Sequence, residues 1–161
     1  MTVRLLIAAT LLALPVAAHA QTQAARDAVT PRSEIMNHFD ASMSKVVALA
    51  KAMPAEAYRW KPEPAAMEVG QVFAHIANYN FGYLSSNMGV TAPGGIKRDT
   101  VEAMRDKAQI VALLERSMQY VKHNVAAMPA EQLDRQTNLY GRTVPQWAVL
   151  MQLVAHMNEH L

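Results

Sequence analysis

Apolar residues along most of this chain recur at alternating spacings of three and four. Met36, Phe39, Met43, Val46, Ala50 and Met53 form one such seam, which predicts a helix with a single buried face. The helix is expected to open at Pro31, with Thr30 as its cap, because proline suits a first turn and threonine an N-cap. Pro54 ends it. The connector "PAEAYRWKPEP" holds three prolines, none of which fits a helix interior. A second helix is expected from about Glu68, where Val69, Val72, Ile76, Tyr79 and Tyr83 repeat the rhythm. "GVTAPGG", Gly89 to Gly95, stops it. A third opens after Asp99-Thr100, with Glu102 near its N-terminus, and carries Val111, Leu114, Met118, Val121, Val125 and Met128 up to Pro129. Residues Ala130 to Thr143 read as a polar loop, and a fourth segment follows with Pro145 in its first turn. No β-branched alternation predicts a strand.

The five residues "AMPAE" occur at Ala52–Glu56 and again at Ala127–Glu131. Each copy ends a long amphipathic helix and precedes a loop and then a helix bearing histidine. That context implies two helix pairs related by approximate two-fold symmetry, hence an all-α fold, a four-helix bundle. The fourth segment is apolar almost all round, from Trp147 to Ala155 with Gln152 as the polar exception. Such a helix needs cover on more than one side, so a homodimer is expected, with a plain central helix as the rival reading.

The N-terminus has different anatomy. Arg4 precedes a run from Leu5 to Val16 that is almost wholly apolar, and Ala18-His19-Ala20 follows. The run is too short to span a membrane, and the order is that of a secretory signal. Residues 1–20 are therefore expected to be a signal peptide, 21–30 a flexible lead-in, and 31–161 the helical domain. The expected location is exported, either periplasmic or secreted. No second long apolar run follows, so no membrane association is expected once the signal is cleaved.

Losing Arg4 leaves 14 basic against 13 acidic residues. These charges are scattered, which excludes the basic stripe of a nucleic-acid binder. The chain has no cysteine, so a disulfide, a thiolate ligand and a cysteine nucleophile are all excluded. Any metal site must use His, Asp or Glu.

The chain ends "LVAHMNEHL", placing His156 and His160 one helical turn apart on one face. Both could turn toward one metal, with a third ligand from another helix. His75, within "QVFAHIANY" at the edge of the second helix's apolar stripe, is the best candidate, since neutral imidazole suits such surroundings. His38 lies off its seam and His123 reads as surface. An HxxxH pair is also compatible with solvated or hydrogen-bonded histidines, and both readings stand on spacing alone. The chain has no HExxH zincin signature, GxSxG elbow, Walker loop or dinucleotide-type glycine turn.

The order "YRWKPEP…EVGQVFAHIANYN", a glycine-rich stop, a long helix ending "AAMPAEQL", then "GRTVPQWAVLMQLVAHMNEH" resembles the DinB-like (DinB/YfiT) family from about Pro31 to the end. The resemblance implies a four-helix bundle, often dimeric, with a divalent metal on His75, His156 and His160, zinc or nickel being the commonest. It further implies a metal-dependent enzyme, a thiol-type transferase or a hydrolase, acting on a small-molecule substrate. The alternative is a non-catalytic metal-binding or structural dimer. No residue is assigned a catalytic role. Asn78, Tyr79 and Gln152, one turn from the ligands, and Arg142 at the bundle mouth are candidates to back the ligands or face a substrate. Glu159 is the nearby carboxylate that could close the site as a fourth ligand.

The chain departs from that pattern at two points. Glu68 stands where the family usually has a capping serine. The sequence also stops one residue after His160, so the chain is expected to be truncated within the fourth helix.

Overall fold

Three long amphipathic helices and a fourth that is apolar almost all round carry the fold. A computed structural model describes residues 29–161; the expected signal peptide and most of the lead-in lie outside the described residues. Helix α1 spans Pro31–Ala52 and buries Phe39, Met43, Val46 and Ala50, the predicted seam. A 3-10 turn at Ala55–Arg59 follows. Here the Tyr58 hydroxyl donates to the Ala50 carbonyl at 2.6 Å, while the Lys107 ammonium donates to the Lys51 and Met53 carbonyls at 2.8 and 2.6 Å. Together they occupy carbonyls that the end of a helix leaves without partners.

Helix α2 spans Val69–Met88. Glu68 is its N-cap, and the Gln71 side chain reaches back to accept from the Glu68 backbone N–H at 2.9 Å, one half of a capping box. The glutamate in place of a serine is thus accommodated. At the other end Gly89 adopts φ 69°, and its N–H donates to the Leu84 carbonyl, a left-handed stop that favours glycine.

The third predicted helix is two. Helix α3 is a short piece, Arg98–Glu102, and α4 spans Lys107–Ala127. Asp106 restarts the helix as an N-cap, its carboxylate accepting from the Gln109 N–H at 2.8 Å. Val101 on α3 is fully buried and anchors the break.

The expected polar loop also differs. After a 3-10 turn at Ala130–Gln132, strands β1 (Gln136–Leu139) and β2 (Arg142–Pro145) pair antiparallel, Gln136 opposite Pro145 and Leu139 opposite Arg142. The two-residue turn Tyr140-Gly141 has φ of 53° and 77°, the positive values that a type I′ hairpin needs. Strands of four residues are too short for alternation to register in the sequence.

Helix α5 spans Gln146–Glu159, with Pro145 as N-cap instead of in the first turn. It has no side-chain cap. Its first two N–H groups donate instead to the carbonyls of Arg135 and Leu133, at 2.9 and 3.0 Å, so the hairpin base serves as the cap. One face of α5, Val149, Leu150, Leu153, His156 and Met157, is buried. Trp147 and Met151 on another face are 38% and 52% exposed, so the helix is apolar all round but not covered all round.

Helix α1 packs on α4 and α5, and α2 packs on the same two. The bundle is therefore a square with α1 diagonal to α2, and this sets α2 beside α5. No helix among the described residues is long and apolar enough to cross a membrane.

Candidate metal centre

His75 stands on the α2 edge that faces α5, and His156 and His160 stand one turn apart on α5. The packing of α2 on α5 brings all three together. His156 is buried, the other two half-buried. Nε2 of His156 lies 3.2 Å from Nε2 of His75 and 3.3 Å from Nε2 of His160. One ligand nitrogen from each ring falls within 4.8 Å of the other two.

The electrostatics of the two α5 rings favour their neutral form. Burial, reinforced by His160 and His75, pushes the His156 pKa down to about 4. Burial and His75 lower that of His160, against an opposing pull from Glu159. An uncharged imidazole offers a lone pair, the form in which histidine binds metal.

Aromatic rings wall the cluster. Tyr79 lies 4.5 Å, centroid to centroid, from both His75 and His156, and Tyr83 meets the His156 ring edge-on at 6.0 Å. The Tyr83 hydroxyl hydrogen-bonds that of Tyr140 from the hairpin tip. Burial, followed by Tyr140 and Tyr79, raises its pKa, with a Gln152 hydrogen bond opposing. Tyr83 therefore remains a neutral phenol. Beside these rings a cavity of about 280 Å³ is lined by Asn78, Tyr79, Gly82, Tyr83, Ser86, Asn87 and Arg98.

The structure gathers most of the residues singled out from sequence. Tyr79 touches two of the histidines, Asn78 lines the adjoining cavity, and Gln152 contacts Tyr83. Arg142 is exposed on β2, and the cation on the cavity wall is Arg98 instead. His38 and His123 are exposed. Glu159 is exposed as well and is absent from the ligand group, which consists of the three histidines.

Sequence reasoning missed Glu102 and Tyr140. Glu102 Oε1 lies 3.1 Å from His75 Nδ1, and Arg98 Nε donates to that same oxygen at 3.1 Å. The Arg98/Glu102 spacing of four was the one available signal, and it shows which side chains pair but not what they face.

The family model described as the DinB superfamily matches residues 38–161. Among solved structures, a DinB-like protein from Bacillus cereus ATCC 10987 superposes with a TM-score of 0.68 at 19% identity, over 78% of this chain and 83% of that one. A conserved protein from Enterococcus faecalis superposes at 0.61 with 12% identity, over 83% and 92% of the two chains. At such identities the two likenesses speak for the fold alone. No curated protein matches the sequence.

Proposed function

The chain belongs to the DinB superfamily, and we propose on that footing that His75, His156 and His160 hold a divalent metal used in thiol-type transfer or hydrolysis on a small molecule. The observation that carries this reading is the convergence of three Nε2 atoms. Bare lone pairs aimed at one another repel, and a single shared proton can bridge only two of them. A cation satisfies all three, and an all-imidazole donor set suits zinc or nickel.

A metal held by three protein ligands keeps a position open and supplies Lewis-acid chemistry, lowering the pKa of a thiol or water bound there. The chain's own groups do the rest. Tyr79 and Tyr83 shield the cluster from water, and the Tyr83 hydroxyl retains its proton and can donate a hydrogen bond. Asn78 and Arg98 give the cavity beside it an amide and a guanidinium for a polar or anionic substrate group. That cavity favours a catalytic site over a closed structural one.

The same reading has the protein exported through its first 20 residues and paired as a homodimer over the Trp147/Met151 face of α5. Cell fractionation and light scattering test these two points.

The deciding experiment is elemental analysis of the purified chain after zinc or nickel loading, beside His156→Ala. About one metal per chain, lost in the variant, supports the site. Equal metal in both, or none in either, overturns it.

A further inference from the structure

His75 differs from its two partners in having its second ring nitrogen occupied. Nδ1 lies 3.1 Å from Oε1 of Glu102, and the Arg98 Nε–H donates to that oxygen from the other side, also at 3.1 Å. A carboxylate paired with a guanidinium can only accept. The proton on this side of His75 must therefore sit on Nδ1, and a neutral ring then leaves Nε2 bare. That bare atom is the one 3.2 Å from His156 Nε2.

Glu102 is placed for this by the break in the third helix. Arg98 and Glu102 are one turn apart on α3, buried Val101 pins that turn to the core, and Arg105 beyond it pairs with Glu68 at the start of α2 at 2.9 Å. The Arg98 guanidinium also lies 5.9 Å from the centroid of the Tyr79 ring, and Tyr79 in turn lies against His75. Two contacts thus hold the imidazole, Glu102 from behind and Tyr79 on one face, and Arg98 braces both.

We propose that Glu102 is a positioning residue, which fixes His75 in the Nδ1–H tautomer and directs its Nε2 lone pair at His156 and His160, with Arg98 holding the carboxylate in place. The proposal deepens the metal reading above, but its first test needs no metal. A carboxylate behind a ligating histidine sets ring orientation and tautomer, and its loss weakens metal binding by roughly 10–100-fold.

The test is nitrogen-15 NMR of the histidine side chains in the full metal-free chain near neutral pH, with Glu102→Ala and Glu102→Gln beside it. In the unaltered chain His75 is expected to show a protonated Nδ1 and a bare Nε2. Glu102→Ala should give mixed tautomers. Glu102→Gln should keep Nδ1–H, because its amide oxygen is still oriented by Arg98 and still accepts. Unfolding temperatures should match across the three, which separates positioning from a general structural role. Zinc titration should then show Glu102→Ala binding about 10–100-fold more weakly, with Glu102→Gln closer to the unaltered chain. A proton on Nε2 of His75 in the unaltered chain overturns the proposal, as does a Glu102→Ala variant with unchanged tautomer and unchanged zinc affinity. If His75 is Nδ1–H and depends on Glu102, yet no chain binds zinc, the positioning role stands and the metal reading falls.

Discussion

The ring of Tyr79 on α2 is stacked on that of His156 on α5, centroids 4.5 Å apart and planes inclined by 26°. This contact ties the two ligand-bearing helices together and closes one side of the histidine cluster.

Removing that ring should therefore cost stability and open the cluster. Tyr79→Ala is expected to lose about 0.5–1.5 kcal/mol of ring contact beyond the buried area. Tyr79→Phe keeps the stack and should stay within about 0.5 kcal/mol of the unaltered chain. Urea unfolding of the three chains measures both, and a Tyr79→Phe loss as large as the alanine loss would assign the effect to the hydroxyl.

The depressed pKa of His156 makes stability depend on pH in a definite direction. In the unfolded chain its pKa is near the ordinary 6.5, whereas in the folded one it is about 4. The unfolded state thus binds the proton first. The stabilising contribution is fully present above about pH 6.5 and is lost as pH falls toward 4, by roughly 2–3 kcal/mol. The lowered pKa of His160 acts in the same sense. Unfolding of the metal-free chain at pH 7 and pH 4.5, compared with His156→Gln, measures the effect; the variant should show a visibly shallower decline.

Gly70 sits where the start of α2 meets the 3-10 turn and α4. A Cβ there would lie 3.0 Å from Tyr58 Cδ1, 3.2 Å from the Tyr58 carbonyl oxygen and 3.3 Å from Ile110 Cδ1. One of the three atoms is backbone and cannot swing aside. Gly70→Ala should destabilise by about 1–3 kcal/mol, despite alanine's better helix propensity. Thermal unfolding would show it, and a stabilised variant would mean that the junction is looser than these distances.

Gly141 meets open space at its would-be Cβ, so its cost on substitution is conformational alone. Its φ of 77° completes the hairpin turn. Gly141→Ala is expected to destabilise by about 1 kcal/mol and to loosen the hold of Tyr140 on Tyr83. Hydrogen exchange of the hairpin amides should rise before that of the bundle.

Much of the bundle was legible because its cause is local. The seam of α1 is buried at Phe39, Met43, Val46 and Ala50 as spaced, and the prolines and Gly89 end helices where their backbone preferences demand. The repeated "AMPAE" segments do end α1 and α4. The split at α3 and the β hairpin were not legible. Asp106 is an N-cap only if the chain has already turned before it, and two strands of four residues carry too little periodicity to stand out from a polar loop.

The sequence by itself determined three apolar seams, a fourth segment apolar almost all round, the helix ends set by proline and Gly89, and an α5 face carrying His156 and His160, since these follow from helix periodicity and the chemistry of single residues. Tertiary structure alone decided that α2 lies beside α5 and that His75 meets the pair. It also decided that Glu102 stands behind His75 and that Tyr140 reaches Tyr83. Those outcomes depend on which seams pack together and on where short connecting segments are pinned. Both are settled by contacts between residues far apart in the chain, whose sum no local pattern records.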